Sequence, residues 1–449
     1  MSISMLSKTR SAVGEHAQHC DSRSLFQSRF ADPQAKDDAR KTWFKNLISK
    51  NAEKIPHTSW LPDHTTVLYA RLMSRLLIDL SGGVMENGNL GFDRYGRPHI
   101  PGSAVKGLAR SMALQALHDW IDAGTPRPSE EDACAPCCES FENPSDMLAA
   151  IAHIFGWTKD DWDKEKNRDK KTNQETTWKS DFAWACSKNL ALIDSARALL
   201  PGYKTFAGTI AFLPATPNTD PGLELDVLTP HHTRYYEGKQ NIATDTEDPV
   251  PVFFPAIKAQ KNGDYFTFPL IPLPLAKTTD IELAKTWLAH GLELLGLGAK
   301  TNAGYGWFDA SQSLQTKTID QLHTQREREK AEELQNRKKA EAAAEALRKA
   351  TAKAEYEKSL EGLTPDQKED KKIELLSDEQ LGAKLRVFYK DPKKGGPSEE
   401  EKKAIIRALR GTRLAIWEAF KQKASKGDLA TAANAIRTLN KQLNGDKMP

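Results

Sequence analysis

The sequence predicts an α+β fold: a ferredoxin-like or RRM-like sheet with insertions, followed by a long charged helix and a small all-α domain. A strand pattern at 65–80 precedes a helix pattern at 104–120, and later strand patterns precede a second helix at 281–295 and a short closing strand. Residues 325–360 contain no glycine or proline, with ten Lys or Arg and eight Glu. After residue 362, three Ser/Thr-x-x-Glu/Gln patterns are typical of capped helices.

Composition limits the classes of function. The 449 residues contain 64 Lys plus Arg against 61 Asp plus Glu, a net charge of +3, so nucleic-acid binding would depend on local patches. No apolar run has the length of a membrane span, and the N-terminus lacks an apolar signal core. Five cysteines, an odd number, favour a reducing compartment, so we expect a cytoplasmic protein with no membrane partner.

Changes in composition along the chain predict its domain organisation. An apolar helical patch in the polar N-terminal region, formed by Trp43, Phe44, Leu47 and Ile48, predicts an arm that docks these four residues on a surface that the sequence does not identify. The predicted parts are an N-terminal arm at 1–64, an α+β domain at 65–310 with an insertion at 121–201, a charged helical linker at 317–362 and a helical domain at 363–445.

The helix pattern at 104–120 begins with a motif suited to phosphate. Ser103 is a candidate N-cap after Gly102, which gives the chain freedom to turn. Ser103, Lys106, Gly107 and Arg110 would share one helix face, because they lie at i, i+3, i+4 and i+7. Unpaired amides at a helix N-terminus attract anions, so this face could hold a phosphate chain; an ordinary capped helix with two solvated cations is the alternative.

A second glycine-rich stretch favours the phosphate hypothesis. Residues 296–306 contain four glycines together with Lys300, Asn302 and Tyr305, between a helix pattern and the closing strand at 307–308. A dinucleotide fingerprint needs the order strand, loop, helix, and a P-loop would need a lysine where Leu108 stands. A standard mononucleotide site is therefore excluded.

The insertion contains a cysteine group. Cys134, Cys137 and Cys138 include a C-x-x-C spacing that could begin a zinc site with Cys186 or His153. A second C-x-x-C pair is missing, which favours buried or incidental thiols. Strand patterns then return at 206–213, 223–228, 252–257 and 265–270.

Three groups of residues resemble the RAMP superfamily of CRISPR RNA-binding proteins: the Ile-Pro-Gly-Ser-Ala-Val-Lys-Gly run at 100–107 with Arg110, the glycine loop ending at Gly306, and a middle block. The middle block, at 226–232, 235–236 and 248–252, resembles the subfamily of the sixth RAMP subunit of the Cmr (type III-B) effector complex. Ala104 stands where that motif usually has serine, and the charged tail after residue 310 is not expected from the family.

The resemblance implies the strand order of the sheet and a function. It implies a non-catalytic RNA-binding subunit in antiviral defence that binds guide RNA near its 3′ end and helps hold target RNA. Its partners would be guide RNA, target RNA, other RAMP subunits and the small helical subunit of the complex, without a cofactor. The predicted RNA-binding residues are Gly102, Ser103, Lys106, Arg110, His231, Arg234, Tyr235, Gly298, Lys300, Asn302 and Tyr305.

Two other functions remain open at this point. His231 or His232 beside Arg234 could act in general acid–base cleavage of RNA, as in an endoribonuclease. Target cutting in this family uses an aspartate in the loop after the first strand, whereas the loop at 81–91 offers only Glu86, so we expect no enzyme. The third possibility is a scaffold protein whose tail makes the functional contacts.

Overall fold

The computed structural model describes residues 19–31, 37–52, 61–62, 64–80, 88–124, 128, 132–170, 172–229, 232–244 and 251–449. The chain divides into two compact units, Met1–Arg326 and Glu327–Pro449. In the first unit the helices are α1 Arg23–Arg29, α2 Asp37–Ile48, α3 Gly102–Ala123, α4 Ala135–Cys138, α5 Pro144–Phe155, α6 Asp181–Ala185, α7 Ala191–Ala198, α8 Thr233–Tyr236 and α9 Thr278–Leu294. The strands are β1 Thr66–Leu72, β2 Lys166–Arg168, β3 Glu175–Trp178, β4 Ile210–Phe212, β5 Thr216–Pro217, β6 Leu223–Leu228, β7 Val252–Ile257, β8 Phe266–Pro272 and β9 Phe308–Asp309.

The main sheet has the strand order β4-β8-β1-β9, and β5 adds a short pairing to β8. Every pair of neighbours is antiparallel, with Leu68 opposite Phe268 and Leu72 opposite Phe308. Helix α3 lies between β1 and β4 in the chain, and α9 lies between β8 and β9. The predicted mixture of helices and antiparallel strands is therefore confirmed. Strands β6 and β7 form a separate two-stranded sheet, as do β2 and β3.

The predicted insertion is part of the core of the first unit. Helix α5 buries seven of its side chains, and the buried Trp287 of α9 donates its indole N–H to the Cys137 carbonyl at 3.0 Å. Removing a large apolar side chain from water contributes about 1.5–3 kcal/mol, so the insertion adds substantially to the stability of this unit. Its weak periodicity in sequence reflects short helices joined by polar turns.

The apolar patch of the N-terminal region packs inside the first unit. Trp43, Phe44 and Leu47 of α2 are buried in the core of the first unit. Arg23 is 1% exposed and forms a bidentate ion pair with Asp220, with N–O distances of 3.0 and 2.9 Å. A buried guanidinium needs such a partner, and this pair ties the arm to the segment before β6.

A long helix, α10 Gln312–Ser359, leads into the second unit. Its first turns belong to the first unit, because Gln315 is buried and its side-chain oxygen accepts the Tyr69 amide at 3.0 Å. Residues 323–355 are all exposed, as the solvated helix of the sequence prediction requires. None of the described helices combines the length and the apolarity that crossing a bilayer demands.

The second unit is helical, as predicted. It continues with α11 Pro365–Glu374, α12 Asp378–Arg386, α13 Glu399–Arg410, α14 Leu414–Lys423 and α15 Asp428–Asn444. Thr364 and Ser377 form complete capping boxes with Gln367 and Gln380. These helices share an apolar core centred on Trp417, Ile406 and Leu385. Short polar turns and reciprocal caps thus explain why this sequence folds into short helices.

Candidate nucleic-acid interface

The N-terminus of α3 presents unpaired backbone amides. The helix begins at Gly102, and Pro101 occupies the N-cap position with φ −59° and ψ 141°. The prediction that Ser103 is the N-cap is therefore wrong: the Pro101 carbonyl accepts the amides of Ala104 and Val105, at 2.9 and 3.2 Å, one residue earlier. Among the described residues, the amides of Gly102 and Ser103 have no acceptor, so this end of the helix can receive an anion.

The structure explains Gly102 of this motif by close packing but gives no such explanation for Gly107. A Cβ at Gly102 would lie 2.2 Å from the Phe212 carbonyl oxygen, so glycine is needed there for close packing and not for a turn. At Gly107 a Cβ would meet nothing within 4 Å, although glycine in a helix interior costs up to about 1 kcal/mol relative to alanine. Packing within the described chain does not explain Gly107, and its position leaves the helix open to another backbone.

The predicted cations on this face are engaged differently. Lys106 is half-buried and donates to the Ala207 carbonyl at 3.2 Å. Burial, with a smaller contribution from Arg110, lowers the pKa of Lys106. Arg110 pairs with Asp161 at 3.2 Å and with Asp181, two carboxylates of the insertion, so it is not the solvated cation of the alternative hypothesis. Its role as a phosphate contact stays a prediction.

The glycine loop is folded against the segment that follows β1. The Ala299 amide donates to the Leu77 carbonyl at 2.8 Å, and the Gly306 amide donates to the Arg75 carbonyl at 2.7 Å. A Cβ at Gly298 would lie 2.4 Å from the Leu77 carbonyl oxygen, and one at Gly306 would lie 1.9 Å from the Leu297 carbonyl oxygen. Both residues also have positive φ, so the fold itself requires these glycines.

The outer part of the same loop is available for a ligand. Lys300 adopts a left-handed conformation with φ 60°, and its ammonium lies 5.6 Å from the centre of the Phe254 ring. Asn302 and Gly298 are exposed. Among the described residues the amides of Gly298 and Lys300 donate to no acceptor. The loop therefore offers unpaired amides, an amide side chain and one cation together.

Tyr305 connects the loop to the sheet of β6 and β7. Its hydroxyl donates to Asp226, which also accepts from Arg75 at 3.0 Å, and Arg75 pairs with Glu224. Burial, followed by the hydrogen bond to Asp226, raises the pKa of Tyr305 to about 12. Sequence reasoning missed Arg75 and Glu224, because their partners are brought close only by the antiparallel fold. The available signal was an arginine within the strand pattern at 65–80.

One segment joins the two motifs. Ile78, just beyond the residues that hold the glycine loop, accepts the Gly91 amide at 2.9 Å, and Gly91 accepts the His99 amide at 2.9 Å. Ile100 then pairs with Ala215 and leads directly into α3. Continuous backbone hydrogen bonding thus fixes both motifs in the same unit.

The remaining predicted RNA-binding residues lie on a separate short helix. Arg234 and Tyr235 of α8 are exposed, and the Tyr235 and Tyr236 rings pack edge to face at 5.6 Å. His232 is half-buried, while His231 and Glu86 lie outside the described residues. None of the contacts above joins α8 to Lys106 or Lys300.

The cysteines are incorporated into the helical core of the insertion. Cys137 and Cys138 are buried, and the Cys138 thiol donates to the Ala116 carbonyl at 3.7 Å. Burial, reinforced by Asp119, raises the pKa of Cys134 to about 11, which favours the neutral thiol. In the described part of the chain, no group of three or more His, Cys, Asp or Glu side chains converges on a metal position.

Comparison with known proteins gives a family match. The model of the RAMP superfamily matches residues 69–309. The CRISPR system Cmr subunit Cmr6 of Pyrococcus furiosus is 26% identical over 307 residues, which are 60% of this chain and 78% of that protein.

Two solved structures are similar to parts of this chain. The crystal structure of Cmr6 from Pyrococcus furiosus is 20% identical with a TM-score of 0.27, covering 56% of this chain and 99% of that one. A chain from the cryo-EM structure of the Type III-B Cmr-beta bound to cognate target RNA is 15% identical with a TM-score of 0.30, covering 69% of this chain and 76% of that one.

Proposed function

The chain belongs to the RAMP superfamily, and from this premise we propose that it is a non-catalytic, RNA-binding subunit of a type III-B CRISPR (Cmr) effector complex. It would bind guide RNA near its 3′ end and help hold target RNA, beside other RAMP subunits and the small helical subunit. The similarity to a protein named as a Cmr subunit supports this assignment. The β-α-β-β-α-β chain order and the strand order described above support a ferredoxin-like or RRM-like RAMP domain.

The observation that carries the proposal is the pair of unsatisfied backbone surfaces. The amides of Gly102 and Ser103 and those of Gly298 and Lys300 lack acceptors among the described residues. On α3, a Cβ at Gly107 would meet nothing within 4 Å, so the helix surface is open there. Phosphate oxygens are the acceptors that such amides and lysines recognise, and they carry no sequence information. Guide–target base pairing would supply the sequence specificity.

The structure changes the role that we assign to Arg110. Its two carboxylate partners and the Phe182 ring, 5.4 Å from its guanidinium, fix α3 against the insertion. Arg110 would therefore position the helix that carries Lys106, and the phosphate contacts would come from Lys106, Lys300 and the amides.

The test combines affinity with its salt dependence. The full chain, with Lys106→Ala or Lys300→Ala, should bind single-stranded RNA more weakly at every sequence, and each loss should reduce the slope of log K against log salt by about 0.7. Lys261→Ala is the matched control, because Lys261 is exposed in the same unit. If all three variants bind as the wild type does at each salt concentration, the proposed surface does not bind RNA.

The endoribonuclease alternative has its own test. His231→Ala combined with His232→Ala should leave cleavage of labelled target RNA by the assembled complex unchanged. Loss of cleavage with unchanged complex composition would favour the enzyme. Purification of the native chain with its associated RNA and proteins would test the proposed partners.

A further inference from the structure

The second unit carries six exposed lysines on two turns, which we call the lysine edge. Three lie in the loop after α12 and three lie at the end of α14 and in the turn before α15: Lys390, Lys393, Lys394, Lys421, Lys423 and Lys426. Within the described part of the chain, none of these six ammonium groups forms an ion pair. Five other lysines of the unit do form ion pairs, among them Lys384 with Glu401 and Lys402 with Glu399.

The fold brings the two turns together. The side chain of Tyr389, at the start of the first turn, lies close enough to interact with the side chain of Asp428, at the end of the second. The neighbouring Phe388 is buried in the same apolar cluster as Ala432 of α15. The two groups of lysines therefore belong to one edge of the helical unit, although about thirty residues of chain separate them.

The acidic residues within the two turns are already engaged. Asp391 accepts the Lys393 amide at 2.8 Å, and Asp428 interacts with Tyr389. Segments 390–396 and 421–428 contain only these two acids beside the six lysines, which leaves a formal charge of +4. The whole chain has a net charge of +3, so positive charge is concentrated at this edge.

The first turn is closed by contacts of its own backbone. Gly395 has φ 82° and donates its amide to the Pro392 carbonyl at 3.2 Å. A Cβ at Gly396 would lie 2.1 Å from the Lys390 carbonyl oxygen, so the loop closes tightly on itself. The backbone that carries Lys393 and Lys394 is thus held in place before any ligand binds, which lowers the entropy cost of binding.

We propose that the lysine edge binds the sugar–phosphate backbone of single-stranded RNA without reading its sequence. An ammonium group is a point charge that suits a phosphate, whereas base reading needs bidentate or stacking groups. Beside the six lysines, the two turns carry one exposed amide side chain, Gln422, and one partly exposed ring, Tyr389, so phosphate-binding groups predominate. An acidic protein partner is less favoured, because protein interfaces bury apolar side chains. The large exposed apolar residues of this unit, Leu334, Leu347, Leu375 and Leu443, all lie outside the two turns. The site goes beyond the proposed RAMP-domain surface and shares no residue with it.

The experiment uses the full chain with a charge-matched control. One variant replaces four lysines of the edge: Lys393→Gln, Lys394→Gln, Lys423→Gln and Lys426→Gln. The control replaces four exposed lysines of α10: Lys330→Gln, Lys338→Gln, Lys339→Gln and Lys358→Gln. Binding of a fluorescein-labelled oligouridylate is measured over a series of salt concentrations, with polyglutamate as a second probe and circular dichroism as the check of folding.

The edge variant should bind the oligouridylate about tenfold more weakly, with a salt slope smaller by about 3, while the control binds as the wild type does. Equal losses of oligouridylate affinity in both variants would mean that binding depends on the total charge of the chain, and this would overturn the proposal. An unchanged affinity in both variants would also overturn it. Loss of polyglutamate binding with unchanged RNA binding would overturn it in favour of an acidic protein partner. Lys106→Ala and Lys300→Ala should add to the effect of the edge variant, so failure of either surface can be distinguished from failure of the other.

Discussion

The N-terminal half of α3 and the glycine loop have similar compositions, but they use their residues differently. In the loop, Gly298 and Gly306 are required by carbonyl oxygens of the protein itself. In α3, Gly107 has no neighbour within 4 Å, and Arg110 is turned toward two carboxylates of the insertion. Glycine in a sequence motif can therefore indicate either internal close packing or an opening for a ligand, and only the surroundings in the fold separate the two.

The largest expected effect tests the internal use of glycine. Gly306→Ala should destabilise the first unit by about 3 kcal/mol or more, because its Cβ would overlap the Leu297 carbonyl oxygen and its φ is 72°. Gly304→Ala is the control: its φ is 89°, but a Cβ would meet nothing, so only about 1 kcal/mol should be lost. Hydrogen exchange of the β1 amides in urea measures the loss of stability in both variants. Equal losses would show that the carbonyl contact does not constrain the loop.

A smaller effect tests whether Arg110 positions α3. Arg110→Ala should reduce stability by about 1–2 kcal/mol, because the partly buried Asp161 loses its partner, while the RNA salt slope stays unchanged. Asp161→Asn and the double variant complete a double-mutant cycle that gives the interaction energy of Arg110 with Asp161. A slope smaller by about 0.7 with unchanged stability would instead identify Arg110 as a phosphate contact.

The smallest expected loss concerns Tyr305. Tyr305→Phe should reduce stability by about 1 kcal/mol at neutral pH, because Asp226 loses the hydroxyl donor. The pKa of Tyr305 is raised from 10.0 to about 12, so the neutral hydroxyl stabilises the fold below pH 10. This contribution is lost as pH rises from 10 to 12, so the stability advantage of the wild type over the variant should fall over that interval. A difference that does not change with pH would exclude the hydroxyl as its cause.

Local patterns in the sequence predicted much of the fold. The strand pattern at 252–257, the solvated helix and the capping boxes at Thr364 and Ser377 each depend on neighbours in sequence, and they are present. The prediction that Ser103 is the N-cap was wrong, because Pro101 has an extended conformation and its carbonyl accepts the first amides of the helix.

The geometry of the candidate site depended on contacts distant in sequence. Asp161 and Asp181 lie 51 and 71 residues after Arg110, and Asp226 lies 79 residues before Tyr305. Sequence periodicity does not encode such pairs. Whether a cation such as Arg110 is solvated or paired could therefore be determined only from the folded structure. The apolar patch of the arm indicated that these residues would be buried. It did not indicate which residues of the first unit they would contact.

The central claim is that RNA backbone approaches α3 at Gly107, and the substitution Gly107→Ala tests it most directly. Alanine fits this helix position, so the variant should be more stable than the wild type by about 0.5–1 kcal/mol. If the opening receives a phosphate chain, the same methyl group should weaken binding of single-stranded RNA about tenfold, without changing the salt slope, because no charge is removed. Greater stability with lower RNA affinity is the result that we predict. Greater stability with unchanged RNA affinity would contradict the proposed interface.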